Sequence, residues 1–214
     1  MQQERPLDRI YHTLREKITS QQLSPNETLI EYQLAKEYSV SRVTAKKAIL
    51  MLEQDGLVTV EPNKSARVRS FSRKEVLDFL AFRQELEGYI VRLAVPNFSP
   101  EDMRELEGIL MTMKADKEAG RLAEYSRNNQ RFHNKIMDVC PNRLAVEVTA
   151  NLKTQMRKYN TRTILVPGRA EHSFAEHSAV LKAIRERSSE DAEQAMRLHL
   201  ANVQREFEEN YDLF

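Results

Sequence analysis

The chain of 214 residues has one cysteine, Cys140. A lone thiol excludes an internal disulfide and fits a reducing compartment, with Cys140 expected as a small core residue beside a helix end. No run of 18 apolar residues occurs, so no transmembrane helix is expected. The opening MQQERPLDRIYHTLREK lacks an apolar signal core, which argues against export and for a cytoplasmic protein. No internal repeat or low-complexity tract stands out. Net charge is only +1, so the chain as a whole is no indiscriminate binder of polyanions. Its hydrophobic content of 41% supports a buried core in one large domain or two small ones.

The charge is unevenly placed. Arg42, Lys46 and Lys47 stand in an acid-free stretch, and Lys64, Arg67, Arg69, Arg73 and Lys74 in another. Two local basic patches on a nearly neutral chain mark a defined electrostatic footprint.

The apolar spacing Leu7, Ile10, Leu14, Ile18 predicts a first helix over 7–21. Pro25 and Asn26 break it. A second helix runs from Glu31 to Tyr38, Ser39-Val40 makes a turn, and Ser41 is a good N-cap for a third helix. That helix turns Ala45, Ala48, Ile49 and Leu52 inward, and Gly56 can take the left-handed conformation that stops it. The β-rich stretches 57–60 and 66–69, joined by 61–65, form a wing. Beyond Ser70-Phe71-Ser72 nearly everything reads as helix: 73–95, 100–117, 120–139, 142–163, 169–187 and 189–211, punctuated by Asn97, Pro100, Pro141 and Pro167-Gly168. The expected fold is mostly α. A winged helix-turn-helix occupies 1–70 and an all-α antiparallel helical bundle 71–214.

In a helix-turn-helix the second helix enters the major groove by its N-terminal end. Ser41, Arg42, Thr44 and Lys46 sit at that end. Arg42 offers a bidentate fork to guanine or phosphate, while Ser41, Thr44 and the helix terminus can hold phosphate. Lys64 and Arg67 on the wing would touch backbone or minor groove. Each cation alone reads as a solvated helix face; together with the turn, the cap and the wing they point to duplex DNA.

Four of the five histidines lie in the helical half. His133, His177 and His199 each sit on a different helix beside apolar neighbours, and Asn129 shares a face with His133. Converging imidazoles suit a borderline divalent cation such as zinc or nickel; the alternative is three unrelated buried histidines. His172 falls about 140° round the helix from His177 and is left out. Glu176, adjacent to His177, is expected to face elsewhere.

The segment SRVTAKKAILMLEQDGLVTVEPNKSARV, with the upstream LSPNETLIEYQLAKEYSV, resembles the GntR family of bacterial transcription regulators. The resemblance runs through residues 5–69. Thr44, Lys46 and Lys47 stand where that family usually has Pro, Arg and Glu, and Asn26 and Ser65 replace glycines. Residues 72–214 resemble the FCD effector domain of the FadR-type branch, through Arg83-Gln-Glu-Leu-Glu87, Asn129-Gln-Arg-Phe-His133, Glu176-His177 and His199. The resemblance implies a divalent metal held by Asn129, His133, His177 and His199, with Asn129 in place of an aspartate. It also implies a small carboxylate effector with Arg83 in its pocket, where the alternative for Arg83 is an ion pair with Glu87. The function expected is a ligand-responsive regulator. It would bind an operator as a homodimer and control genes of small organic acid metabolism. The competing class is a metal-dependent hydrolase-like enzyme built on the three histidines, which lacks a clearly placed general base. A winged helix serving only protein contacts is a third.

Overall fold

The computed structural model describes residues 5–61, 64–157, 159 and 163–213. The chain divides into two compact units, residues 1–72 with 154–158, and residues 73–153 with 159–214.

In the first unit, helix α1 (Pro6–Thr19) turns Ile10 and Leu14 into the core, with proline at its start where a missing N–H costs nothing. Helix α2 (Glu31–Glu37) contributes Leu34 and Ala35. The turn after it passes through Ser39 at φ 52°. Helix α3 (Arg42–Gln54) begins at Ser41, whose hydroxyl accepts from the Thr44 N–H at 3.0 Å, and it buries Ala45, Ala48, Ile49 and Leu52. Gly56 follows at φ 71°, the left-handed stop expected there. Each fully buried aliphatic side chain in this core contributes about 1.5–3 kcal/mol.

The wing is a three-stranded antiparallel sheet in the order β1-β3-β2: β1 (Thr28–Leu29), β2 (Val58–Thr59) and β3 (Ala66–Val68). Val58 pairs with Val68 and Thr28 with Arg67. Strand β1 adds a partner that the sequence pattern did not reveal. Asn26 precedes it at φ 66°, where the family pattern has glycine. Asparagine is among the residues that tolerate this conformation.

The second unit holds α4 (Arg73–Ala94), α5 (Pro100–Glu118), α6 (Leu122–Val139), α7 (Arg143–Gln155) up to Lys153, α8 (Arg169–Arg185) and α9 (Ser189–Glu209). Helix α9 packs on α4 and α8, and α5 on α6 and α8. Gly88 on α4 lets Arg197 of α9 lie against the backbone: a Cβ there would stand 2.9 Å from the Arg197 Cγ. The expected helix 142–163 is corrected. Helix α7 is interrupted after Gln155 by a turn at Met156, Arg157 and Tyr159 are helical again, residues 158 and 160–162 lie outside the described residues, and Thr163–Leu165 form a 3₁₀ turn. No proline or glycine lies between 142 and 163 to signal that break. Cys140 is buried as the C-cap of α6. No helix among the described residues is long and apolar enough to cross a membrane.

A buried histidine cluster and an exposed basic helix tip

Four helices of the second unit place charged or polar residues on faces that are otherwise apolar. On α4 these are Arg83 and Glu87, within the buried stripe from Val76 to Ala94. On α6 they include His133 beside Phe132 and Ile136; on α8 they are Arg169, Ser173 and His177; on α9 it is His199, beside Met196 and Leu200. Polar groups at core positions cost free energy unless they are paired, so each partner matters.

The structure brings His133, His177 and His199 together. All three are at most 2% exposed, and their candidate ligand atoms lie within 4.8 Å of one another. The Nδ1 of His133 lies 2.6 Å from Glu87 Oε2, and that of His199 lies 2.7 Å from Glu176 Oε2. The Nδ1 of His177 lies 2.6 Å from the Ser173 carbonyl oxygen. Carboxylates and carbonyls only accept, so all three Nδ1–H groups donate and all three Nε2 atoms carry bare lone pairs. The Nε2 atoms of His133 and His177 then face each other at 3.2 Å, two acceptors with no proton between them.

Burial first, against the partial help of Glu87, pushes the His133 pKa down to about 3. Burial likewise brings His199 to about 4, against the opposing hydrogen bond to Glu176. Burial and the neighbouring His199 hold His177 well below its ordinary range. All three are neutral near pH 7. Burial opposes ionisation of Glu176, yet its hydrogen bonds from His199 and Arg169 win and hold the carboxyl at about 2. Burial also opposes ionisation of Glu87, and Arg83, Lys153 and His133 together outweigh it.

These residues fit a divalent cation. Three neutral imidazoles oriented by outer acceptors are the arrangement metal-binding histidines adopt. Metal–nitrogen bonds of about 2.0–2.1 Å at tetrahedral angles set ligand nitrogens about 3.3 Å apart, close to the separation between His133 and His177. Asn129, one turn before His133, has a buried Oδ1 with no hydrogen-bond partner, an acceptor that a cation would satisfy.

Arg83 is 6% exposed and forms an ion pair with Glu87. The same Glu87 oxygen has the Lys153 ammonium at 3.5 Å. Sequence reasoning missed Lys153, Arg169 and Glu176. Glu176 does turn away from the His177 ring, but it reaches His199 on the next helix, also accepting from Arg169 and from Asn202, each at 2.7 Å.

In the first unit Ser41, Arg42, Lys46, Lys64 and Arg67 are exposed and Thr44 is half-buried. The Ser41 and Thr44 hydroxyls share a hydrogen bond of 2.8 Å. Arg42 stands 3.7 Å from Glu31, Lys64 pairs with Glu61, and Arg67 donates to the Asn26 carbonyl at 3.2 Å. Arg42, Lys46 and Lys64 line one groove of about 270 Å³ between α2, α3 and the wing, floored by Leu29, Ile49 and Ala66. The basic tip of α3 and Lys64 of the wing therefore share a face.

Residues 78–202 match the FCD domain, and residues 6–68 match the bacterial regulatory proteins of the gntR family. The HTH-type transcriptional regulator YdhC of Bacillus subtilis is 27% identical over 190 residues, 88% of this chain and 85% of its own length. The HTH-type transcriptional repressor RspR of Escherichia coli is 23% identical, over 91% and 85% respectively. In structure, E. coli McbR/YncC aligns with a TM-score of 0.77 at 20% identity, covering 97% of this chain and 99% of that one. A GntR regulator from Rhodococcus sp. RHA1 aligns at 0.74 and 18% identity, covering 96% and 98%. The family regulates transcription and is not one of enzymes, so the hydrolase alternative falls. The protein belongs to the GntR family of DNA-binding transcription regulators, in the branch that joins the winged helix-turn-helix to an FCD domain.

Proposed function

We propose that this regulator, in the cytoplasm and as a homodimer, reads a partly palindromic operator and answers to a small carboxylate through a metal held by His133, His177, His199 and Asn129. The observation that carries the sensing half is the set of three Nε2 lone pairs converging in a buried site. Zinc or nickel suits such nitrogen donors. A bound metal would supply a Lewis-acidic point for a carboxylate oxygen. The neutral Asn129 leaves one negative charge fewer than an aspartate would, which favours an anionic effector completing the coordination. Arg83 takes part in effector recognition through the Glu87 network next to His133. Unequal affinity of the effector for two arrangements of the protein would shift operator affinity.

The DNA half rests on the exposed cap of α3. Ser41, Arg42, Thr44 and Lys46 meet base edges and phosphates, while Lys64 and Arg67 hold the backbone or minor groove. Duplexes enriched from a random library supply the operator for the test. Arg42→Ala is expected to bind them at least about tenfold more weakly, the loss of one bidentate contact. His177→Ala is expected to lose nearly all bound metal, measured by elemental analysis. Its operator affinity without effector should stay within about twofold of wild type, since a metal ligand carries none of the DNA contacts. Equal DNA affinity of Arg42→Ala and wild type would remove the recognition-helix assignment. Unchanged metal content in His177→Ala would remove the metal centre.

A further inference from the structure

Two polar ladders run along the interface of α6 and α8. Tyr125, Asn129 and His133 follow at four-residue steps on α6, and Arg169, Ser173 and His177 do the same on α8. Residues four apart share a helix face, so each ladder is a continuous edge. The ladders meet at one end through the His133 and His177 rings. Away from the histidines three buried atoms have no hydrogen-bond partner: Asn129 Oδ1, Tyr125 Oη and Arg169 Nη1. The Tyr125 hydroxyl faces the Ser173 hydroxyl without a hydrogen bond of normal geometry. Tyr125 is fully buried and Arg169 is 2% exposed. Leaving such donors unsatisfied costs about 1–3 kcal/mol each, more for a charged group.

Arg169 is tied directly to the histidine cluster. Its Nη2 and the Nδ1 of His199 both bond to Glu176 Oε2. The guanidinium and that imidazole are therefore one oxygen apart, and the unpartnered Nη1 lies just beyond. The charges add a second argument. Glu87 and Glu176 face Arg83, Lys153 and Arg169 around the histidines. Glu171 also acts on Tyr125, and a divalent cation would add two positive charges to this set.

We propose that Arg169 and Tyr125 form an anion subsite one step along the α6–α8 interface from the histidines, so that the effector is a short diacid. One carboxylate meets the metal and the other accepts from Arg169 Nη1 and the Tyr125 hydroxyl. Two donors match one carboxylate, and the two negative charges of a diacid would balance a divalent cation. The inference rests on the metal reading above.

The test uses full-length protein loaded with zinc, with metal content measured on every sample. Calorimetric titration compares malonate, succinate and glutarate with acetate, propionate and butyrate. The best diacid is expected to bind at least about tenfold more tightly than the monoacid that lacks only its second carboxylate, the size of one hydrogen bond to a charged group. Tyr125→Phe, which removes only the hydroxyl facing Ser173, should erase most of that preference while leaving metal content and monoacid affinity unchanged. Arg169→Lys keeps the charge beside Glu176 but removes the forked donor, and should act the same way. Diacids binding no better than monoacids to metal-loaded protein, or an unaltered preference in Tyr125→Phe, would overturn the subsite and leave the metal reading standing. Wild-type protein that takes up neither zinc nor nickel would overturn both.

Discussion

Glu87→Ala is expected to be among the most damaging single substitutions in the helical unit, lowering its melting temperature by about 10 °C or more. Glu87 is 2% exposed and answers three donors: the Arg83 guanidinium, the Lys153 ammonium at 3.5 Å and the His133 Nδ1–H at 2.6 Å. Truncation removes the Glu87 carboxylate from the buried Arg83 and the half-buried Lys153, and leaves one imidazole N–H without that acceptor. Breaking a buried ion pair by removing one partner costs about 3–5 kcal/mol. In a chain of this size each kcal/mol shifts the midpoint by about 2–4 °C. Lys153 can soften the loss by giving up its proton, since burial already brings its pKa down to about 8 despite Glu87.

Glu87→Gln keeps an acceptor oxygen and the shape of the side chain, so it should fold. Its cost should be smaller, and it should show up in metal binding. Outer partners that orient a histidine are worth about 10- to 100-fold in metal affinity. Differential scanning calorimetry of both variants, with zinc titration of Glu87→Gln, checks the pair. A Glu87→Ala protein as stable as wild type would mean that Arg83 and Lys153 find other counter-charges. Unchanged zinc affinity in Glu87→Gln would mean that Glu87 does not orient His133.

The DNA-reading half was legible because its signals are local. The Ser41 cap, the apolar steps Ala45, Ala48, Ile49 and Leu52, and the Gly56 stop each act within a few residues. Strand β1 was not legible, since two residues carry no period and its partner β3 lies far along the chain. The break at Met156 and the 3₁₀ turn at Thr163–Leu165 were missed because helix propensity alone does not mark an interruption where no breaker stands. In the bundle the three histidines could be found as polar residues on apolar stripes. Their partners obeyed the same sign: Arg83 and Glu87 interrupt the buried face of α4, and Arg169 stands at a buried position of α8. A charged residue at a core position breaks the binary pattern and marks a functional site more often than an error. Glu176 was harder. Its 100° offset from His177 is readable, but not that this offset points it at α9.

Metal-free protein should lose stability steeply as pH falls below 6.5, and acidification in the presence of a chelator should unfold the helical unit near pH 5. The sign follows from the histidines. Folded His133 titrates at about 3 and His199 at about 4, with His177 also well below its ordinary value, chiefly through burial. In the unfolded chain all three return to about 6.5. Below that pH the unfolded state takes up protons that the folded state cannot, so acid favours unfolding. Each imidazole contributes up to about 1.4 kcal/mol per pH unit, and three approach about 4 kcal/mol per unit. Against a total stability of about 5–15 kcal/mol, a drop of one to two units is decisive. Below pH 4.5 the depressed carboxyls Glu87 and Glu176 act in the same direction, since their contribution is present above the unfolded value and is lost as pH falls toward the folded one. Zinc should move the transition to lower pH, because a ligand of the folded state adds stability that protons must displace. His199→Gln should make the metal-free slope about one third shallower. Urea denaturation of chelated protein at pH 7, 6 and 5 measures the slope, and a stability that stayed level across that range would contradict neutral, buried imidazoles at 133, 177 and 199.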